Sequence, residues 1–323
     1  MKENQHPFLS MDQVSKIFKS GTAVKDLTFE LPKGTIIGLI GPSGSGKTTA
    51  VRLLNGIYQP TEGHIQLMGK EPTDFKTKDK TSIGYLTQHF TLFSDLSVKS
   101  NMNFAASIYG QGFLKRRKRI NSLLEMVELS EHRHKLASKI SGGMQRRLQL
   151  AATLIHDPEL LFLDEPTAGI DPILRRKFWD HFTQLKAEGK TLFVTTQYVS
   201  EASYCDLVGI MVDGELIELS APEDLRKKAF GGDILEVIPQ EDFDSHVLER
   251  LGQIPGVLKV TRLHNKKIRL YVEDASSTLS PVINWFDDHN LAVDGVEHYQ
   301  PPFDDVFVKL IEEYKEKETH HEN

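Results

Sequence analysis

The sequence predicts an α/β protein with a smaller α+β unit behind it, on three observations. An apolar run from Thr35 to Ile40 opens into Gly41-Pro42-Ser43-Gly44-Ser45-Gly46-Lys47-Thr48, and a helical pattern follows from Thr49 to Gly56. A second apolar run, Leu160 to Leu163, ends in the carboxylates Asp164 and Glu165. Beyond Gly231-Gly232 the composition changes, and short strand and helix patterns alternate in the order βαββαβ.

Composition bounds the class. The chain has 323 residues with 39% hydrophobic content, enough apolar surface for two cores. Its net charge of −6 gives no global sign of a nucleic-acid binder. Cys205 is the single cysteine, so no internal disulfide can form; this fits a reducing compartment and a small buried side chain. The first seven residues are polar and no signal-peptide pattern follows them. No run approaches the roughly 18 apolar residues of a membrane span, so membrane work would need spans from another chain.

Taken in order, residues 8–30 carry several short β-type runs ending at Leu27 to Leu31. Phe18 within them is either a core ring or a ring that stacks on a nucleobase. The glycine-rich loop between strand and helix directs backbone N–H groups inward at a positive helix end, the recipe for a phosphate site. In that setting Lys47 reaches the β- and γ-phosphates and the Thr48 hydroxyl is a ligand for Mg²⁺, so the chain is expected to bind a nucleoside triphosphate. Residues 63–69 read as a further strand, and Ile83 to Thr87 leads to Gln88, which could ligate a metal or water or be an ordinary strand-end residue.

Residues 97–157 read as helical and contain the basic run Lys115 to Arg119, a solvated face or a surface for anionic lipid or nucleic acid. Ser141-Gly142-Gly143 opens an amphipathic helix as either an N-cap with a hinge or a second anion site. Asp164 at the end of the next buried strand would hold Mg²⁺ through water, and Glu165 would polarise the attacking water. A helix around Phe178 to Ala187, a strand from Thr191 to Thr195 ending at Thr196-Gln197, and a hairpin about Asp213-Gly214 complete this part.

With these pieces in place, residues 8–230 resemble the ATP-binding subunit of ABC transporters, most nearly the drug- and lipid-exporting type. The fold implied is a P-loop NTPase, an ABC-type ATPase core with a helical subdomain at about 90–157. Gly41 to Thr48 resembles Walker A, and the resemblance extends ATP contact to Thr49. Gln88 falls at the Q-loop, where the family contacts nucleotide and metal. Ser141-Gly142-Gly143-Met144 looks like the signature motif, with Ile140 and Met144 replacing the usual Leu and Gln. Leu160 to Asp164 resembles Walker B with Glu165 as catalytic carboxylate, Ala168 to Asp171 the D-loop, and Phe18 the adenine-stacking aromatic.

The resemblance implies an ATPase using Mg²⁺ whose two subunits pair head to tail, as a homodimer or heterodimer. ATP then lies between one P-loop and the partner copy's Ser-Gly-Gly stretch. Closure would pull on a separate membrane permease near Gln88, where Phe90, Leu92 and Phe93 could receive a coupling helix, and the chain would work at the cytoplasmic face of the membrane without nucleic acid. One departure stands out: Gln197 occupies the position where the family usually has a histidine. Glutamine donates a neutral hydrogen bond but carries no proton. The expectation is slowed hydrolysis with nucleotide binding kept, or a regulatory subunit with weak turnover.

Past residue 231 the pattern suggests a ferredoxin-like domain ending in a helix from Phe303 to Tyr314, similar to the accessory tail of many drug-export ATPases. Residues 1–7 and 316–323 are expected to be flexible tails, with His320-His321 as a weak metal-binding alternative.

Overall fold

The computed structural model describes residues 7–264 and 266–321. The chain forms two units that divide between Leu219 and Ser220.

In the first unit, β1 (Leu9–Phe18) and β2 (Gly21–Leu31) form a long antiparallel hairpin, with β4 (Glu62–Leu67) on the other side of β1. The several short runs expected here are two long strands, because bulges near Val14 and Lys16 break the apolar alternation without ending the ladder. A second sheet has the order β5-β6-β7-β3-β8-β9. Its strands are β3 (Ile36–Ile40), β5 (Ile83–Leu86), β6 (Leu160–Asp164), β7 (Thr191–Thr196), β8 (Leu207–Val212) and β9 (Glu215–Ser220). The first five in that order run parallel, and β3, β6 and β7 are buried along their whole length, which explains their unbroken apolar runs. Asp213 and Gly214 both take positive φ and turn β8 into β9.

Helix α1 (Lys47–Leu54) buries Ala50, Val51, Leu53 and Leu54 in a core shared by β1, β2, β4 and the inner face of the parallel sheet. The short α2 (Thr77–Lys80) precedes β5. Helices α3 (Val98–Ile108), α4 (Phe113–Met126) and α5 (Gly142–Thr153) make the helical region between β5 and β6. Helix α6 (Pro172–Ala187) starts six residues before Phe178, since Asp171 caps it by accepting from Ile173 N at 3.1 Å and Leu174 N at 3.0 Å.

The second unit begins with α7 (Pro222–Phe230), earlier than the boundary expected at 230/231. The reason is packing: Arg226 Nε donates to Pro301 O at 3.3 Å, and Lys309 sits over the Phe230 ring at 4.5 Å. The order continues β10 (Asp233–Pro239), α8 (Ser245–Leu251), β11 (Val257–Arg262), β12 (Ile268–Val272), α9 (Ala275–Asp288), β13 (Val293–Tyr299) and α10 (Phe303–His321). The sheet is antiparallel in the order β11-β12-β10-β13 and buries Leu235, Val237, Leu270 and Phe286.

Helix α10 corrects the expected end at Tyr314 and the flexible tail from residue 316: the Glu- and Lys-rich segment stays helical through His321, with Thr319 Oγ1 donating to Lys315 O at 2.7 Å. The side chains of His320 and His321, and residues 1–6 and 322–323 of the expected tails, lie outside the described set. Among the described residues no helix is long and apolar enough to cross a membrane.

Candidate functional site

The carboxyl ends of β3, β6 and β7 are neighbours, and the loops leaving them carry the site. Gly46 caps α1 with φ +98°, and a Cβ there would lie 2.4 Å from Ala23 O. The β2 backbone is thus pressed on the loop, and only glycine fits. At Gly41 a Cβ would come within 2.1 Å of Met211 O. Gly44 is also left-handed, Ser45 is buried, and Pro42 O accepts from Ser45 N at 3.3 Å. Ser43 is exposed and Thr49 partly buried. Phe18 lies at the turn of the β1–β2 hairpin, half-buried, edge-on to Tyr58 at 5.3 Å between ring centroids.

The Lys47 ammonium folds back onto the loop and donates to Gly41 O and Pro42 O, both at 2.8 Å. Burial lowers its pKa, opposed by the nearby charges of Glu165 and Asp164. Thr48 Oγ1 donates to Asp164 Oδ1 at 3.1 Å, and Thr195 Oγ1 donates to the same oxygen at 2.6 Å. The other oxygen, Oδ2, is buried with no hydrogen-bond partner, so this carboxylate has capacity for a cation or a water. No cluster of three or more His, Cys, Asp or Glu able to hold a metal occurs among the described residues. A cation here would meet one carboxylate, a hydroxyl, water and phosphate, a donor set that suits Mg²⁺.

Glu165 takes a left-handed backbone at φ 50°, a strained conformation for a non-glycine residue. It is held by Glu165 N, which donates to Thr195 O at 3.0 Å and Thr195 Oγ1 at 3.1 Å. Gln88 Nε2 donates to Glu165 Oε2 at 3.1 Å, which joins the loop after β5 to the loop after β6.

Sequence reasoning missed the group that holds these loops together. Arg146 on α5 is buried and donates to Thr87 O at 2.5 Å, Gln88 O at 3.2 Å, Glu165 O at 2.8 Å, Pro166 O at 3.3 Å and Asp164 O. Burial lowers its pKa to about 10 against the pull of Asp164 and Glu165. Gln149, one turn on, donates to Thr87 Oγ1 at 2.9 Å and His89 O at 2.8 Å. Their spacing of three put them on one helix face; nothing in the sequence said that face was buried.

Gln197 follows the last residue of β7 and is exposed. Ser141 acts as the N-cap of α5, its Oγ accepting from Met144 N at 3.3 Å. Gly142 and Gly143 are the first two helical residues of α5, with ordinary φ. A Cβ on Gly142 would meet nothing within 4 Å, and one on Gly143 only Gly169 O at 3.9 Å. Among the described residues nothing crowds a side chain at either position. Phe93 is exposed and packs edge-on against Phe104 at 4.8 Å. A surface groove of about 700 Å³ runs along β4 past Asp12, His64 and Lys70 and contains none of these residues.

Residues 24–168 match the family described as ABC transporter. Over 303 residues the chain is 32% identical to the "Daunorubicin resistance ATP-binding protein DrrA3" of Streptomyces coeruleorubidus, covering 94% of this chain and 95% of that protein. The chain belongs to the ABC transporter family, among its ATP-binding proteins. This ABC chain is also 34% identical over 217 residues to the "Probable multidrug ABC transporter ATP-binding protein YbhF" of Escherichia coli K12. That match takes in 67% of this chain and 38% of YbhF, so the ABC chain spans well under half of that relative's length. Among solved structures it resembles the dimeric ATP-binding cassette MJ0796 in a post-hydrolysis state bound to ADP and Pi, with a TM-score of 0.62, 26% identity, and coverage of 66% of this chain and 98% of that one.

Proposed function

We propose that this chain is the ATP-hydrolysing subunit that energises export of a small molecule, drug or lipid through a separate membrane permease. The observation that carries this reading is the convergence of Lys47, the Thr48–Asp164 pair and the Gln88–Glu165 pair at one sheet edge. In this reading the loop N–H groups and Lys47 bind the β- and γ-phosphates of ATP, with Lys47 exchanging its carbonyl partners for phosphate oxygens. Phe18 stacks on the adenine. Thr48, Asp164 and Gln88 would hold Mg²⁺, which supplies charge neutralisation at the phosphates. Glu165, fixed by Thr195 and Gln88, orients and polarises the water that attacks the γ-phosphorus, giving ADP and phosphate.

The helical glycines 142 and 143, with free space around 142, fit close approach by a second ATP-binding subunit. Ser141 and both glycines would then contact the nucleotide held by that partner, in a homodimer or a heterodimer. Gln88 begins the loop that leads to α3, so movement of the helical region shifts the hydrogen bond on Glu165. The exposed Phe93–Phe104 pair suits a permease helix, and the chain would act at the cytoplasmic face of the membrane. The split βαβ order and the central place of β10 and β12 support a ferredoxin-like accessory domain, with the ATP-binding domain ahead of it.

A second reading rests on Gln197: a chain that binds ATP but turns over slowly, as the weak half of an asymmetric pair. Steady-state hydrolysis by the purified chain tests both, beside Glu165→Gln and Gln197→His. The first reading expects parent turnover that Glu165→Gln lowers by about 10³-fold or more with ATP binding retained. A parent that binds ATP without turnover, restored by Gln197→His, replaces it with the second.

A further inference from the structure

The tip where α3 passes into α4 has a surface that ATP chemistry does not use. Phe113 and Leu114 are 77% and 82% exposed, and Ile108 at the end of α3 is 66% exposed. Such side chains scattered singly need no explanation; Phe113 and Leu114 are adjacent in the first turn of α4, with Ile108 five residues before them. The basic run follows at once. Arg116 turns inward to donate to Gln111 O at 2.9 Å, and Arg119 to Leu154 O at 2.9 Å. Lys115, Arg117 and Lys118 are exposed, and none has an acidic partner among the described residues. The first turn of α4 holds no acidic residue, and Lys115 stands at the positive end of that helix against its local field.

Beside them is an open pocket of about 410 Å³ lined by Lys115, Lys118, Arg119 and Ser122. Its one acid, Asp157, is already paired with Lys190 at 2.7 Å and Arg119 at 3.3 Å. On a chain of net charge −6, this is a local cationic rim around an exposed apolar pair.

We propose that the α3–α4 tip docks on an anionic lipid surface, with Phe113 and Leu114 entering the headgroup–acyl boundary while Lys115, Arg117 and Lys118 engage lipid phosphates. A nucleic-acid backbone would satisfy the cations but leave the apolar pair in water; a lipid interface satisfies both. This deepens the membrane-located reading above by giving the subunit a contact of its own beside the permease.

The test is co-sedimentation of the full chain, without permease, on phosphatidylglycerol/phosphatidylcholine vesicles and on phosphatidylcholine alone. Because no permease is present, the outcome is independent of the transport reading. Binding is expected on the anionic vesicles only and to weaken with salt. Lys115→Gln with Lys118→Gln should reduce it roughly 25-fold, about five-fold per cation. Phe113→Ser with Leu114→Ser should reduce it by about 10²-fold. Both pairs should keep parental ATP affinity and melting temperature, since neither touches the nucleotide site. Equal binding by parent and variants, or no binding to anionic vesicles, overturns the proposal. Release from vesicles by excess soluble glycerol phosphate would make the site a free-anion pocket and also overturns it, as would binding to duplex DNA in place of vesicles.

Discussion

Replacing Arg146 by methionine tests whether one buried guanidinium sets the geometry of the site. Its three shortest contacts, to Thr87 O, Asp164 O and Glu165 O, are charge-assisted hydrogen bonds worth about 1.5–3 kcal/mol each. Burying the guanidinium, which lowers its pKa, takes back several kcal/mol of that gain. Arg146→Met should therefore destabilise the first unit by about 3–5 kcal/mol, the hydrogen-bond gain less the cost of burying the charge. Methionine fills much of the volume, so the loss reports mainly on the hydrogen bonds. The effect on chemistry should be selective. Glu165 and Gln88 lose their backbone anchor while the phosphate loop keeps its own contacts, so kcat should fall about 10²-fold and the KM for ATP should change less than about two-fold. Arg146→Lys keeps the charge but loses the planar fork and should fall between parent and methionine. Urea unfolding and steady-state ATP hydrolysis on the same samples give both numbers. An Arg146→Met protein with parental stability and kcat would refute the idea that this residue positions the loops.

Three further outcomes are expected. Gly46→Ala places a Cβ 2.4 Å from Ala23 O at φ +98°, so ATP affinity measured by titration should drop more than about ten-fold; unchanged binding would mean the hairpin yields freely. Burial, with the charges of Glu201 and Asp206, pushes the Cys205 thiol far above its usual range. A disulfide reagent at neutral pH should therefore react about 10²-fold or more slowly with the native chain than in denaturant, and equal rates would contradict that burial. Burial alone would raise the Glu236 carboxyl, but hydrogen bonds from Arg269 at 2.8 Å and Lys267 at 3.0 Å outweigh it and hold the pKa below the usual value. The stability this gives the second unit is fully present above about pH 4.3 and is lost as pH falls through the lowered pKa. Glu236→Gln should flatten that acid dependence, and an unaltered acid unfolding midpoint would count against the network.

The sequence alone determined the parts whose cause is local. The phosphate loop is legible because glycine, lysine and threonine at fixed spacing act through their own backbone. The strands ending at Ile40 and Asp164 are legible because a buried parallel strand must be apolar along its whole length. The βαββαβ order of the second unit follows from periodicity, and so does the presence, though not the starting residue, of most helices.

What only the tertiary structure decided depends on which surfaces meet. Arg146 and Gln149 read as polar positions on an amphipathic helix, and only the packing of α5 against the loops after β5 and β6 turns them into the clamp on Glu165. The partnerless Oδ2 of Asp164 and the left-handed backbone of Glu165 follow from the junction of β6 with β7, to which Thr195 contributes a hydroxyl. At α4 the reverse holds: Phe113 and Leu114 suit a core in the sequence, yet the helix buries Ile120, Leu123 and Leu124 instead and leaves them in solvent. Sequence spacing fixes which residues share a face, but whether that face meets protein or water is set by elements distant in the chain.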